Sequence, residues 1–253
     1  EMATNFKTAA VTQAEVASVQ EVAGRIEANE RKVTRIGAAV TGRVTEVLAE
    51  TGDRVKAGQT LARVASPELT TAQLAYMRAS ATATLAERSV ERARQLIAAD
   101  VIGSAELLRR ESEVQIARAE LRAAGDQLKL MGLSADALSS LRAKGNVAPN
   151  AAITASAAGI VIERQVSQGQ VAQPGDPLFT VADLSNVWVV GALPEQIARS
   201  VQTGQNVQID VPALGLTVEE TPISGKIIYV GDTVSPETRT VTIRTQVDNK
   251  DLA

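Results

Sequence analysis

The chain has 253 residues, of which 26 are lysine or arginine and 29 are aspartate or glutamate, with no histidine and no cysteine. Because the formal net charge is only -3, the chain offers no basic field to neutralise phosphates, and we expect no nucleic-acid partner. The absence of histidine removes the commonest general base and the commonest metal ligand. We therefore predict no catalytic residue, no cofactor and no metal site.

Neither a membrane span nor a secretion signal is visible in the sequence. No apolar run approaches the roughly 20 residues that a membrane helix needs, and the first residues lack a charged-then-apolar pattern. The chain begins at Glu1 and ends at Ala253 just after a predicted strand. We therefore expect it to be part of a longer mature protein.

The first predicted element is a β segment with glycine turns that the chain repeats later. GRVTEVLAETGDRVKAGQTLARVA, from Gly42 to Ala65, recurs without gaps as GIVIERQVSQGQVAQPGDPLFTVA, from Gly159 to Ala182. Gly52 and Gly58 in the first copy and Gly169 and Gly175 in the second predict tight turns between short strands. Two such copies can pair into one flattened, pseudo-twofold β-sandwich.

A long helix follows the first copy. Leu69, Tyr76, Ala83, Val90 and Ile97 recur every seven residues, which is the spacing of a coiled-coil seam. Ser66 stands where an N-cap belongs, Pro67 at the first helical position and Glu68 in the first turn. The helix is therefore predicted to begin at residue 67.

A second helix with the same spacing follows, with Leu107, Val114, Leu121 and Leu128 in its seam. Ser104 is the expected N-cap and Gly132 the expected C′ glycine. The connection near Gly103 is too short for anything but an antiparallel return. We expect a protruding coiled-coil hairpin of roughly 40 to 50 Å, whose alternative role is only to stabilise the protein.

These residues resemble the periplasmic adaptors, or membrane fusion proteins, of tripartite efflux pumps. The resemblance rests on the lipoyl-like motif GDRVKAGQTL from Gly52, on its weaker second copy from Gly169, and on SPETRTVTIRTQVDN, Ser235 to Asn249, which is similar to the adaptor β-barrel signature. It implies an elongated, modular fold of mixed α and β structure, with a split lipoyl-like β-sandwich, an antiparallel coiled-coil α-helical hairpin and a small β-barrel.

The resemblance also implies a division of the chain into modules. We expect residues 1–38 to contribute to the β-barrel and membrane-proximal part, and residues 184–253 to form the barrel itself. Between them we expect the first lipoyl-like half at 39–66, the hairpin with its return segment at 67–149, and the second half at 150–183. The barrel strands are expected at 187–192, 207–211, 223–230 and 240–247, with a short helix at 194–200 and a closing N-terminal strand near 16–26.

Within the adaptors, the heavy-metal branch of resistance-nodulation-division pumps is the most similar. ANERKVTRIGAAVTGRV from Ala28, LKLMGLSADALSSL after the hairpin and DLSNVWV from Asp183 carry this similarity. Relatives of this branch use methionine or histidine to bind metal, but the methionines here are Met2, Met77 and Met131. We interpret Met77 and Met131 as gap-filling residues of the helical seam, and we assign no ligand to Met2.

The resemblance places contact with an outer-membrane channel at the hairpin tip. Adaptors are similar to one another in an arginine, a leucine four residues later and a serine at the turn. Arg92 and Leu96 match the first two, whereas Gly103 occupies the serine position and Ser104 lies beside it. The predicted contact residues are Arg92, Leu96, Ile102, Gly103 and Ser104. The alternative is that Arg92 is a solvated charge and Leu96 a core residue.

The implied function is that of a periplasmic adaptor associated with the inner membrane. It would link a proton-driven inner-membrane efflux transporter to an outer-membrane channel, with six copies in a ring and heavy-metal cations as cargo. Adaptors of drug pumps or ATP-driven exporters are the first alternative. A lipoyl or biotinyl carrier is the second, but Glu68 lies near the expected lysine position and Lys56 belongs to an earlier turn. A serine-lysine enzyme is the least favoured alternative.

Overall fold

The structure is a computed structural model that describes residues 19–212 and 223–249. The described residues divide into a unit of residues 28–186 with residue 249 and a second unit of residues 19–27, 187–212 and 223–248. No helix in the described ranges is long and apolar enough to cross a membrane. The strands are β1 (Gly24–Ala28), β2 (Val33–Gly37), β3 (Gly42–Val47), β4 (Arg54–Val55), β5 (Thr60–Ala65), β6 (Asn150–Thr154), β7 (Gly159–Arg164), β8 (Val171–Ala172), β9 (Pro177–Ala182), β10 (Asn186–Pro194), β11 (Asn206–Ile209), β12 (Ile223–Ser235) and β13 (Thr240–Asp248), and the helices are α1 (Pro67–Ala98), α2 (Ser104–Leu130), α3 (Ala135–Lys144) and α4 (Glu195–Ala198).

The repeated segments fold into one sandwich of two four-stranded antiparallel sheets. Their orders are β2-β9-β7-β4 and β6-β5-β3-β8, so each sheet takes one strand from the other copy. The two exchanges have the same register, with Arg54 opposite Ile160 in one sheet and Val171 opposite Arg43 in the other. The structure confirms the predicted pseudo-twofold sandwich.

The four turn glycines adopt the backbone conformation that the sequence predicts. Their φ angles lie between 81° and 97°, in the left-handed region that glycine enters at little cost. The residue after each glycine accepts a hydrogen bond from the backbone N–H three positions earlier, at 2.8 to 3.0 Å. Because Gln170 supplies this acceptor as Asp53 does, the aspartate of the motif can be replaced by glutamine.

The sandwich begins earlier in the chain than expected. Residues 33–37 were assigned to the N-terminal segment 1–38, but they form β2 and pair with β9. The equivalent strand β6 pairs with β5. Ile36 in β2 and Ile153 in β6 are both buried in the sandwich core, so burial of their side chains fixes these outer strands to the sheets.

The insert between the copies is a helical hairpin. The Ser66 hydroxyl accepts from the Leu69 N–H at 3.2 Å, which confirms the predicted N-cap of α1. The buried residues of α1 include Leu69, Tyr76, Ala83 and Val90, at the predicted seven-residue spacing. Ion pairs from α1 to α2 join Glu87 to Arg118 at 2.8 Å and Arg94 to Glu111 at 3.1 Å. The helices are therefore antiparallel neighbours.

A third helix, which we did not predict, closes the base of the hairpin. Ser134 caps α3 by accepting from the Ala137 N–H, and Gly145 ends it in the left-handed conformation. The α2 residue Gly125 leaves room there for Tyr76, since an added Cβ would lie 3.4 Å from the tyrosine ring. Leu141 of α3 is buried in the same cluster. The chain then returns to its starting point, where the Ser66 N–H donates to the Pro149 carbonyl at 3.1 Å.

The second unit is a five-stranded sheet with the order β1-β10-β13-β12-β11. The predicted barrel strands and short helix appear as β10 to β13 and α4, with β12 extending to Ser235. The N-terminal strand predicted near 16–26 is β1, Gly24–Ala28, whereas residues 16–18 lie outside the described residues. In this sheet the Arg244 guanidinium stacks 4.2 Å from the Trp188 ring centroid, a favourable cation–π distance.

Candidate partner-binding site at the hairpin tip

The hairpin tip is a tight reversal of the chain between α1 and α2. The Asp100 N–H donates to the Ile97 carbonyl and the Val101 N–H to the Leu96 carbonyl, both at 2.9 Å. Asp100 has a φ of 56°, a left-handed conformation that aspartate tolerates better than most residues. These bonds satisfy carbonyls that the end of α1 would leave free and turn the chain toward α2.

The five predicted contact residues lie at this end of the hairpin. Arg92 and Leu96 are exposed on α1, one turn apart. Ile102 is partly buried in the connection, while Gly103 and Ser104 are exposed where α2 begins. Leu96 is 41% exposed, so it is not a core residue. The tip therefore presents an arginine, a leucine and a polar turn to the surroundings.

The prediction that Ser104 caps α2 is wrong. Ser104 is the first residue of the helix, and Gly103 occupies the N-cap position without a side-chain hydrogen bond. Gly103 is extended, with φ -85° and ψ 162°, and its carbonyl accepts from the Glu106 N–H at 3.1 Å. Because a glycine cap has no side chain, the hydroxyl of Ser104 stays at the surface of the tip.

On the α2 side of the tip, Glu106 forms ion pairs with two neighbouring arginines. Glu106 accepts from Arg109 and Arg110 at 2.7 and 2.8 Å, and these bonds, with that from Arg109 the larger cause, lower the pKa of Glu106 to about 2. Arg109 also pairs with Glu113. Arg92, in contrast, forms no ion pair with any carboxylate of the described ranges. Its guanidinium remains available to an acidic partner.

Two apolar residues that we did not predict belong to the same end. Val101 and Leu108 are each 64% exposed. Large apolar side chains that lie together and are exposed to solvent are typical of a surface that another protein covers. The available signal was their position, since Val101 lies in the turn and Leu108 directly follows the seam residue Leu107. Neither fits the buried heptad positions.

The remaining candidate chemistry has simpler structural roles. Met131 is buried in the cluster at the hairpin base and Met77 packs against it, as predicted for gap-filling residues. Within the described ranges, no group of three or more acidic side chains is close enough together to hold a metal ion. Lys56 is an exposed turn residue, and Glu68 lies in the first turn of α1. The tip presents exposed apolar and cationic side chains.

Two family models match successive parts of the chain from residue 32 onward. The CzcB-like barrel-sandwich hybrid domain covers residues 32–183, and the CusB-like β-barrel domain covers residues 186–253. The first match includes more than half of the chain. The second covers nearly all of residues 184–253, where a β-barrel was expected.

The relatives include a curated protein and two solved structures. The chain is 26% identical over 251 residues to the cation efflux system protein CzcB of Alcaligenes sp. (strain CT14), covering 98% of the chain and 46% of that relative. It thus spans about half the length of the curated relative. ZneB from Cupriavidus metallidurans is 28% identical with a TM-score of 0.57, and 90% of each chain is covered. A MacA-MexA chimeric protein carrying the MexA α-hairpin domain of Pseudomonas aeruginosa has a TM-score of 0.63 at 22% identity, with 89% of this chain and 73% of the chimera covered.

Proposed function

This chain belongs to the family with a CzcB-like barrel-sandwich hybrid domain, and from that premise we propose that it is a periplasmic adaptor of a heavy-metal efflux system. In this function it joins a proton-driven transporter of the inner membrane to a channel of the outer membrane. The cargo is a heavy-metal cation, in keeping with the name of the cation efflux relative. The adaptor acts by holding the other two proteins together.

The observation that carries this proposal is the insertion of a long hairpin into one β-sandwich. The sandwich closes by exchanging strands between its copies, so it does not need the hairpin to complete its sheets. α1 has 32 residues and α2 has 27, which corresponds to roughly 40 to 48 Å of helix. Ordering this much chain costs conformational entropy. A role in reaching a distant partner accounts for that cost, and we propose that the hairpin acts as a coiled-coil rod.

The tip supplies the contact with the outer-membrane channel. Arg92 offers a cation without an ion pair in the described ranges, and Leu96 and Val101 offer exposed apolar surface. Arginine is enriched among the residues that contribute most to interface affinity, and exposed apolar side chains that lie together are typical of a surface that another protein covers. The β-barrel unit then faces the inner-membrane transporter, and six copies surround the path of the cation.

Capture of the channel by the full-length adaptor tests this proposal. Arg92→Asp reverses the charge of the tip, and Val101→Asp places a carboxylate in its apolar part. We expect each variant to lose co-purification of the outer-membrane channel after crosslinking in cells. Retention of the inner-membrane transporter by the same variants would show that the effect is confined to the tip.

Arg122→Asp is the matched control. Arg122 is an exposed arginine of α2 and lies many turns from the tip, so its reversal should leave channel capture unchanged. Circular dichroism of all three variants checks that the helices are intact. Normal channel capture by both tip variants would show that the tip does not contact the channel. Metal tolerance that is unaffected by deletion of the protein would contradict the proposed cargo.

A further inference from the structure

Arg244 of β13 lies between two aromatic rings on the five-stranded sheet. Thr245 and Val247 of this strand are buried, so Arg244 belongs to the opposite side of the sheet. Its Cζ atom lies 4.2 Å from the centroid of the Trp188 ring and 5.7 Å from that of the Tyr229 ring. Both distances allow a cation–π interaction. One ring from β10 and one from β12 therefore hold the guanidinium in place.

A β-bulge in β12 brings Tyr229 to this position. The pairing of β12 with β13 passes from Ile227 opposite Thr245 directly to Tyr229 opposite Arg244, so β12 has one extra residue between these pairs. Bulges of this kind re-aim side chains and are common beside functional sites. Without the bulge, Ile228 would lie opposite Arg244, and the guanidinium would have no ring on the side of β12.

The guanidinium has no acidic partner within the described ranges, where Arg244 forms no ion pair. Its buried Nε atom and the buried indole Nε1 of Trp188 both lack a hydrogen-bond acceptor. A partly buried charge without a counter-ion and buried donors without acceptors are unfavourable. The two Nη atoms are not among these buried groups, and Arg244 as a whole is half-buried, so a ligand can reach them.

A second cation lies on the same side of the sheet. Lys226 is exposed and lies opposite Gln246, which is two residues from Arg244 along β13. Such diagonal neighbours are roughly 7 to 8 Å apart, within reach of long side chains. In the part of the chain that is described, neither cation pairs with a carboxylate, including that of Asp248 on the same side of β13. The two side chains therefore form a small cationic patch.

A carboxylate is the anion that best fits this patch. The N–H groups of a guanidinium form a flat fork that matches the two oxygens of a carboxylate. Because rings flank the guanidinium, the open approach lies in its own plane. A planar carboxylate can enter there, whereas a tetrahedral phosphate would direct oxygens toward the ring faces, which are electron-rich. The Lys226 ammonium is positioned to hold a second carboxylate.

We propose that Arg244, with Lys226 beside it, binds the carboxylates of an acidic segment in a partner protein. Arginine, tryptophan and tyrosine are the residue types most enriched among those that dominate interface affinity, and all three occur together in this cluster. Because the rings order the guanidinium before the partner arrives, binding costs less entropy. The identity of the partner rests on the proposed function, in which the β-barrel unit faces the inner-membrane transporter.

Trp188 is the only tryptophan of the chain, so its fluorescence reports directly on this site. The probe is the peptide acetyl-Glu-Glu-amide, which is added to the purified chain while sodium chloride keeps the ionic strength constant. We expect a change in emission that saturates with the peptide. Sodium phosphate at the same ionic strength should give no saturating change, and equal binding of phosphate would contradict the preference for carboxylates.

Arg244→Met should weaken binding of the peptide by about tenfold or more, because the charge-assisted hydrogen bonds are lost. This variant also removes the cation over the reporting ring, so isothermal titration calorimetry measures its affinity. Lys226→Gln leaves Arg244 and both rings in place and should weaken binding by about threefold, as expected for an exposed charge pair. Its affinity can be measured by fluorescence even if Arg244→Met does not fold.

Arg199→Met is the matched control. Arg199 is exposed and directly follows α4, which begins where the Glu195 N–H donates to the Arg239 carbonyl. That point is five residues from Arg244 along β13, or roughly 16 Å. Arg199→Met should therefore bind the peptide as the parent chain does. The absence of a saturating response in the parent chain, or unchanged affinity in Arg244→Met, would overturn the proposal.

Capture of the transporter in cells distinguishes the two sources of a carboxylate. If the partner protein supplies it, full-length Arg244→Met should lose co-purification of the transporter and retain the channel, whereas Arg199→Met should retain both. Binding of sodium acetate as tight as that of the peptide, together with normal transporter capture by Arg244→Met, would identify a free small carboxylate as the ligand and overturn the proposal. Because the titration contains neither transporter nor channel, its failure would leave the tip contact untouched. Normal channel capture by the tip variants would likewise leave the titration unchanged.

Discussion

The two halves of the sandwich share their turns and their register but differ in what fills the core. Leu61 and Leu178 are equivalent and both buried, with exposures of 0 and 1%. At the next position the first half has Ala62 and the second has Phe179, and both are again buried. The repeat therefore preserves backbone geometry more strictly than side-chain volume.

The halves differ again where the chain leaves the sandwich. Ser66 follows β5 and caps α1, whereas the equivalent Asp183 follows β9, accepts from the Ser185 N–H at 2.9 Å and pairs with Lys32 at 2.8 Å. Both residues thus accept a backbone hydrogen bond at the exit. Because a carboxylate titrates and a serine hydroxyl does not, only the hydrogen bonds of Asp183 should make stability depend on pH.

Phe179→Ala should cause the largest effect and should reveal the asymmetry of the core. Removing a buried ring costs about 3 to 5 kcal/mol, and the first half has no counterpart to lose. Leu61→Ala and Leu178→Ala form the matched pair, with similar costs of about 2 to 5 kcal/mol each. Urea unfolding followed by circular dichroism measures all three. A smaller loss for Phe179→Ala than for either leucine variant would contradict an asymmetric core.

Gly42→Ala and Gly159→Ala should have the next largest effect and should test the symmetry of the backbone. An added Cβ would lie 2.2 Å from the Ala65 carbonyl oxygen in the first half and 2.5 Å from the Ala182 carbonyl oxygen in the second. Because neither backbone can move without disturbing its sheet, we expect each variant to lose about 2 to 3 kcal/mol of unfolding free energy.

The control for this pair is Gly103→Ala. Its Cβ would meet nothing within 4 Å, so the only expected cost is that of alanine in place of glycine at the N-cap of α2, less than about 1 kcal/mol. Clearly unequal losses at Gly42 and Gly159 would show that the two copies do not carry the same constraint.

The smallest effect is expected at the exit residue Asp183. Its hydrogen bond from Lys32, followed by those from Ser185, lowers its pKa from the ordinary value of 3.8 to about 2. Because the pKa is lower in the folded state, Asp183 stabilises the fold at pH values above its unfolded-state pKa. This stabilisation is lost as the pH falls toward about 2. Because the Asp183 side chain is 44% exposed, this contribution is less than about 1 kcal/mol.

Asp183→Asn should remove this part of the pH dependence between about pH 5 and about pH 2. Ser66→Ala should instead cost about 1 kcal/mol at every pH, because a serine cap does not titrate in this range. Thermal unfolding across that pH range compares both variants with the parent chain. An unchanged pH profile in Asp183→Asn would mean that the Lys32 pair does not contribute to folding.

Local signals explain what the sequence predicted correctly. Local structure sets each of these signals. The turn glycines supply a positive φ, Ser66 accepts a hydrogen bond at the start of α1, and the seven-residue spacing follows from helix geometry. The outer strand β2 was assigned to the N-terminal segment because the identities there are sparse, whereas its counterpart β6 lies within the predicted second half, 150–183. Ile36 matches Ile153 and Ala38 matches Ala155 at the repeat offset, and all four are buried. These two matches were the available signal for extending the repeat.

The candidate site was less predictable because exposure depends on tertiary packing. A leucine at position 74 or 85 reads as a core residue in sequence, and only the packing of α1 against α2 shows that it faces water. The same holds for Val101 at the tip. Arg92 and Leu96 were found through resemblance to a family, and their role as contacts stays a prediction.

The chain enters and leaves the hairpin at almost the same place. Ser66 and Pro149 are joined by a backbone hydrogen bond, and the buried Gln73 side chain holds the Ala148 N–H and carbonyl at 2.9 and 2.8 Å. These bonds fix the distance between the two ends of the insert, but they do not constrain the length of its helices. Whole heptads can therefore be added to or removed from the two helices without changing the sandwich from which they extend.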